Sequence, residues 1–521
     1  MTSLTYFRAY TMTTWFVRNA CFVVLALGIG TGCAPVCSRT DGACVELAVS
    51  GAGTYETYSI EWRHTTNEEP FAAIRRGATE AGGGLPRIFR LTPPPSVSAE
   101  TVTSVGVLGL SHGGMEQAGG SIELTLGADE HARHVLPLGL RVERTDLSLD
   151  ASTTDLVATD LNGDGTIDLA LVGMTEGANA GSLSGGLLSV LYGNGDGTFF
   201  PPLTADIPTQ PFSVKAVDIN ADGQKDLFTT GVGDSLSLFQ NLSFDQIGPR
   251  TPILINPGPP TIDCPTPTNP RSLAVGDLNG DGVLDLVGGV RPCLVVLLGT
   301  QKSGFVASGD ALRPSPLFVG DSLTRLAMAD FNNDLRQDVA VIRTAQGIGN
   351  ISVLLGGELM KGLSFATTFT AGNEPTDLLS AELNGDKKPD LAVVSAKSSS
   401  LHVFLNKGLV DGSFGGGPAV TNTPADFDYY LGLPGYGPTC LASGDINQDG
   451  LLDLAMCDAA LPTIGVMFGR GGGGFEPPIR LLVDRTPSAI AIADLDGKGQ
   501  LDLVVSHAAS NRLTVFLNRS N

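Results

Sequence analysis

The chain has 521 residues, with 42% hydrophobic and 17% charged residues and 67 glycines, a length that allows about three average domains. That balance suits a turn-rich β protein and excludes wholesale disorder. The formal net charge of −22 excludes nucleic acid as a partner, because phosphate contacts need a basic surface, and it disfavours polyanionic glycans for the same reason.

Residues 1–32 read as an export signal. Arg18 precedes the apolar run CFVVLALGIG, about ten residues long and too short to span a bilayer. Met12 offers a second possible start, because MTTWFVRNA makes a more usual charged region. The end of the segment, with Thr31 and Gly32 before Cys33, resembles a bacterial lipobox, although Gly30 stands where Leu is usual. Cys33 is therefore the expected lipidation site, with plain signal cleavage as the alternative. Membrane contact is expected through that anchor only. The expected location is the outer membrane or cell surface, the alternatives being periplasmic or secreted. Loss of the signal removes Arg8 and Arg18 and leaves a still more acidic chain. Residues 33–45 read as a linker.

Residues 46–138 contain CVELAVSG, YSIEWRH, RIFRLTP, VTSVGVLGL, SIELTLG and RHVLPLG. Apolar and polar residues alternate between Gly/Pro-rich breaks, which predicts a small antiparallel sandwich. Trp62 reads as a core residue.

From residue 139 onward one nine-residue pattern recurs seven times. It begins as DLNGDGTID at Asp160 and continues as DINADGQKD at Asp218, DLNGDGVLD at Asp277 and DFNNDLRQD at Asp330. ELNGDKKPD at Glu382, DINQDGLLD at Asp445 and DLDGKGQLD at Asp494 complete the set. Copies are 49 to 63 residues apart. Each follows a short apolar strand and precedes another. A third strand comes later, as in LVVLLG, LHVFLN and LTVFLN, often with a Gly-rich turn behind it. With a weaker fourth strand, this predicts an all-β seven-bladed β-propeller over residues 139–521. TVFLNRSN ends the seventh unit after its third strand. The segment GLRVERTDLSLD, Gly139 to Asp150, is expected to supply the missing strand and close the ring.

The pattern itself predicts calcium. Calcium takes six to eight oxygens, and the loop offers oxygen side chains at positions 1, 3, 5 and 9 plus the carbonyl of position 7. Gly at position 6 permits the left-handed turn. Expected ligands are Asp160, Asn162, Asp164 and Asp168; Asp218, Asn220, Asp222 and Asp226; Asp277, Asn279, Asp281 and Asp285; and Asp445, Asn447, Asp449 and Asp453. The fourth loop (Asp330, Asn332, Asp334, Asp338) has Leu335 at position 6. The fifth (Glu382, Asn384, Asp386, Asp390) has Glu at position 1 and Lys387 at position 6. In the seventh (Asp494, Asp496, Asp502), Lys498 at position 5 predicts weak or no binding. Four to six ions are expected, acting as staples for the blades.

These units resemble the FG-GAP, or VCBS, repeat of integrin α-chain propellers and of many bacterial surface proteins. The resemblance rests on the calcium loop and the strand–Gly turn; the Phe-Gly…Gly-Ala-Pro element is not literally present. It implies a binding or adhesion module.

Given that topology, three disulfides are expected. Cys440 and Cys457 flank one hairpin, Cys264 and Cys293 lie in loops of one face, and Cys37 and Cys44 would close a small loop. Free thiols are the alternative. The stretch NTPADFDYYLGLPGYGPTC lies in the longest spacing. It reads as a long loop on the face away from the metal, with Phe427, Tyr429, Tyr430 and Tyr436 as candidate ligand contacts. The alternative is that these rings pack on the outer strand. An enzyme is not expected. The propeller holds two histidines: His402 in a third strand, with a structural role, and His507 in an exposed loop. The expected function is a cell-surface binding module for protein or glycan ligands. The alternatives are a polysaccharide lyase-like enzyme and a purely structural scaffold.

Overall fold

The computed structural model describes strands of residues 44–137 and side chains from residue 140. From 140 to 520 it omits 177–182, 234, 241–245, 256–268, 291–292, 301–303, 308, 311–312, 315–316, 319–322, 346–347, 358–362, 410–413, 415–426, 431–436 and 509. The signal segment, Cys33, Cys37, Cys264 and Tyr436 lie outside the described residues. No helix occurs among those described.

Seven β-sheets radiate from one axis. In the first blade Ser152–Thr159 is innermost, followed outward by Asp168–Glu176, Leu183–Leu191 and Leu203–Ile207. The other inner strands are Pro211–Val217, Ser272–Gly276, Leu323–Ala329, Pro375–Ala381, Pro438–Gly444 and Pro487–Ala493. Each touches the next around the axis, and Pro487–Ala493 returns to Ser152–Thr159. The seventh blade takes its outer strand, Leu140–Ser148, from the far side of the chain, with Arg512↔Ser148 to Asn518↔Val142 in register.

The second strand of each blade explains the packing. Asp390–Ser395 (DLAVVS) is buried at every position, because each of its faces meets a neighbouring blade. Period-two alternation splits its side chains. Leu391 and Val393 join the core shared with the fourth blade, and Ala392 and Val394 the core shared with the sixth. Asp453–Asp458 divides the same way: Leu454 and Met456 face the fifth blade, Ala455 and Cys457 the seventh. Among the described residues seven such clusters, one per interface, form the propeller core.

Hydroxyls on the inner strands add polar stitches between blades. Thr154 Oγ1 donates to the Pro211 carbonyl at 3.3 Å and Thr376 Oγ1 to that of Pro438 at 2.5 Å. Ser488 Oγ donates to the Thr153 carbonyl at 2.8 Å, across the junction of the seventh and first blades.

Cys440 and Cys457 form a disulfide with Cα atoms 5.0 Å apart, in the innermost hairpin of the sixth blade. Cys293 is also disulfide-bonded. Its expected partner Cys264, and the side chain of Cys44, lie outside the described residues.

The strands of the expected sandwich lie in two sheets. Cys44–Ser50 pairs antiparallel with Arg87–Leu91 but parallel with His131–Pro137. The second sheet runs on from the seventh blade, since Glu116–Thr125 pairs with Leu140–Ser148. Together they give one order of eight strands.

Gly193, Gly299, Gly356 and Gly469 lie at or just beyond the ends of third strands. A methyl group on Gly299 would overlap the Leu284 carbonyl oxygen. Gly299→Ala is expected to cost about 2 kcal/mol. Gly288→Ala, with open space around it, should stay within about 0.5 kcal/mol of the parent. Urea midpoints of the two variants decide this, and equal shifts would refute the steric account.

Candidate metal centre

Each inner strand enters its loop at position 1 and each second strand starts at position 9. Position 9 is an aspartate in all seven loops, and none is more than 1% exposed. Its Oδ2 accepts the N–H of position 2: Leu161, Ile219, Leu278, Phe331, Leu383, Ile446 and Leu495, at 2.8–3.2 Å. Its Oδ1 accepts the N–H that ends the third strand: Gly193, Gly299, Gly356, Asn406, Gly469 and Asn518, at 2.7–2.9 Å. In the second blade Gln240 reaches Asp226 through its side chain at 3.5 Å.

Position 1 shapes the turn. Asp160 accepts the N–H of Gly163 at 2.7 Å and of Gly165 at 2.9 Å. Asp218, Asp277, Asp330, Asp445 and Asp494 likewise accept the position-6 N–H, at 2.8–2.9 Å. Asn at position 3 donates to the position-5 carboxylate and accepts that residue's N–H. Asn162, Asn220, Asn279, Asn332 and Asn447 all do so, with Asp164, Asp222, Asp281, Asp334 and Asp449. The amide oxygen is thereby oriented beside the carboxylates. In the seventh loop, where position 3 is also acidic, oxygens of Asp494, Asp496 and Asp502 lie within 4.8 Å of one another. Positions 1, 3 and 9 thus converge in that loop. The all-oxygen side chains at positions 1, 3, 5 and 9 of the other six loops suit calcium rather than a softer ion.

The degenerate loops keep the backbone shape. Leu335 and Lys387 adopt φ of 70° and 67°, against 81° to 90° for glycine at the same position of the first, second, third, sixth and seventh loops. The fifth loop reorganises its side chains. Glu382 Oε1 accepts the N–H groups of Asn384, Gly385 and Asp386, and Asn384 turns towards Asp390 at 3.5 Å. In the seventh loop Lys498 Nζ lies 2.6 Å from Asp496 Oδ2.

Two features escaped the sequence reading. Position 4 is also left-handed in every loop: Gly163, Ala221, Gly280, Asn333, Gly385, Gln448 and Gly497. Where the residue closing the third strand is Asn, its side chain also ties into the loop of the preceding blade. Asn406 Nδ2 donates to the Phe331 carbonyl at 2.9 Å, and Asn518 Nδ2 to that of Ile446 at 2.8 Å.

The candidate ligand face is relocated. Phe427–Tyr430 is the outer strand of the fifth blade, with Leu401↔Tyr429 and Ser400↔Tyr430 in register. The stretch read as a long face loop thus places Phe427, Tyr429 and Tyr430 at the rim; their side chains lie outside the described residues. His507 is likewise corrected from an exposed loop to a buried strand end. It contacts the Arg485 carbonyl at 3.0 Å and Thr514 Oγ1 at 2.8 Å, and burial lowers its pKa. His402 is bonded to Ser400 Oγ at 2.7 Å.

Family models agree with this architecture. The FG-GAP-like repeat matches residues 160–229, 382–456 and 445–505, and the FG-GAP repeat matches 269–291. The matched segments are FG-GAP-like repeats, and the fourth loop, from Asp330, lies outside them. No curated protein matches the chain. Among solved structures, BBS1N in complex with ARL6DN aligns at 14% identity over 72% of this chain and 95% of its own, with a TM-score of 0.48. An Agrocybe aegerita lectin, described as recognising non-reducing terminal N-acetylglucosamine, aligns at 17% identity, 74% and 98% coverage and a TM-score of 0.43. A mutant Chaetomium thermophilum Polycomb Repressive Complex 2 aligns at 10% identity, 72% and 97% coverage and a TM-score of 0.47.

Burial, opposed by the two N–H bonds, pushes Asp168, Asp285, Asp338, Asp390, Asp453 and Asp502 up to about 6. Asp164 goes the other way, lowered by Thr166. A carboxyl raised in the folded state binds its proton more tightly there than unfolded. Folding stability is then lost as pH rises from about 4 to about 6. With divalent ions chelated, the thermal midpoint is expected to be higher at pH 5 than at pH 7.5. Saturating calcium, which favours the ionised form, should flatten or reverse that slope. A chelated protein whose midpoint rises with pH would contradict this. Leu335→Gly tests the strained turn separately. Leu335 is 87% exposed, so the change relieves a left-handed Leu at little packing loss and should add about 1 kcal/mol in urea unfolding.

Proposed function

We propose that the chain is an exported, lipid-anchored, calcium-binding FG-GAP propeller that acts as a cell-surface binding module for a protein or glycan ligand. The observation that carries this reading is the contrast between its two faces. On the loop face every connection between first and second strands has the same length, and its carboxylates are engaged by the loop's own N–H groups. On the opposite face the connection from an outer strand to the next inner strand varies widely. It is Glu374 alone between the fourth and fifth blades, and residues 255–271 between the second and third. Uniform loops on a rigid scaffold suit structure, and variable loops suit recognition.

A binding role is favoured over catalysis because both propeller histidines are engaged within the fold, and the acidic residues are spaced as metal ligands rather than as acid and base. A protein ligand is favoured over sugar because Trp15 and Trp62, the only tryptophans, lie outside the propeller. A purely structural scaffold is the remaining alternative.

Calcium then serves as a staple. With a site Kd of ~0.1 mM and ~1 mM calcium, each occupied loop adds about 1.4 kcal/mol. EDTA is expected to lower the unfolding free energy by roughly 6 kcal/mol if four sites are filled, measured by urea unfolding. No effect of EDTA would remove the calcium reading. Affinity electrophoresis through native polysaccharides, with calcium and with EDTA, tests the ligand class. Protein binding predicts unchanged mobility. Retardation would establish a glycan ligand, and cleared gel would establish an enzyme.

A further inference from the structure

We infer that in the seventh loop two side-chain cations, Lys498 and Arg519, take the part of the metal, so that the blade closing the ring is held without calcium. This rests on the calcium reading of the other loops. In those six loops position 5 is a carboxylate, from Asp164 to Asp449; in the seventh it is Lys498. Position 3 changes in the opposite sense, from Asn to Asp496. The backbone is nonetheless that of a metal loop. Asp494 accepts the N–H of Lys498 at 3.1 Å and of Gly499 at 2.8 Å, and Asp502 keeps both of its N–H donors.

What differs is the source of positive charge. Asp496 Oδ2 receives Lys498 Nζ and Arg519 Nη1, each at 2.6 Å, while the Asp496 side chain is only 1% exposed. A buried carboxylate needs a partner, and this one has two. A divalent ion entering among Asp494, Asp496 and Asp502 would have to displace both or bear their repulsion. The loop therefore does not fit calcium, although three carboxylates converge in it.

Arg519 also reaches beyond the loop. Its Nε donates to Glu143 Oε2 at 3.2 Å and its N–H to the Arg141 carbonyl at 2.7 Å. Arg141 N–H in turn donates to Ser520 Oγ at 3.0 Å. The guanidinium thus joins the seventh loop to Leu140–Ser148, the strand that arrives from the far side of the chain. This is the one blade assembled from two distant segments, and its latch consists of covalently attached cations.

Native mass spectrometry of the full chain in calcium tests the inference. Lys498→Asp combined with Arg519→Gln is expected to bind one ion more than the parent, and Asp164→Ala one fewer. Seven ions on the parent, or equal counts for the parent and the double variant, overturn it. A second readout is the thermal midpoint in EDTA. There Lys498→Met and Arg519→Met should each lower the midpoint by a few degrees, and an unchanged midpoint for both overturns the latch. No ions on any form would instead refute the calcium reading, leaving the EDTA midpoints to decide the latch. The parent count and the EDTA midpoints also decide if the double variant does not fold.

Discussion

One buried aspartate per blade, at the ninth position of the loop, holds three pieces of chain in fixed relation. Its two oxygens accept an N–H from the start of the loop and, in six blades, another from the end of the third strand. The innermost hairpin and the third strand are thereby locked at the same end of the blade. No apolar residue could do this, because the two N–H groups would be left buried and unmet, at about 1–3 kcal/mol each. The arrangement has a cost of its own. Burial works against the charge that makes the acceptor strong, which is why these groups titrate high. Neighbouring carboxylates at positions 1 and 5 add to the strain, and a cation among them relieves it.

From that joint the order of the ring follows. A blade locked at the loop end has a second strand buried on both faces, and it cannot bury them alone. Each apolar cluster is shared by two blades, so removing one blade exposes two cores. The polar stitches obey the same logic. The amide of Asn518 bonds the loop of the preceding blade while its backbone N–H serves Asp502 of its own. Side chains at the end of a third strand thus couple neighbouring loops, and a change at one loop is felt at the next.

Much of this was legible in the sequence, because a nine-residue pattern repeated seven times constrains both blade number and strand direction. What escaped reading has particular causes. The Gly or Asn closing LLG and FLN is visible, but its role needs the aspartate that opens the second strand, which only the fold brings to its N–H. Position 4 was missed because Ala221, Asn333 and Gln448 hide a left-handed turn that Gly would have announced. Phe427 to Tyr430 was read as a loop because of its long spacing, yet aromatic residues are strand formers and the fifth blade needed a fourth strand. His507 reads as a loop residue in the sequence, yet it is the last residue of the buried strand Asp502–His507.

The two strained loops sharpen the division between faces. Leu335 and Lys387 hold a left-handed backbone that costs an L side chain roughly 1–2 kcal/mol, and both are exposed. Nothing in their own side chains pulls the backbone there. The pull comes from Asp330 accepting the Leu335 N–H and from the ninth-position aspartate behind it. The loop is therefore imposed by the blade, and it survives substitutions that its local sequence would not choose. A face so tightly determined has little freedom to evolve a new surface. The opposite face, where connections range from one residue to seventeen, carries no such constraint, and that is where a scaffold of this kind can acquire partners without disturbing its own closure.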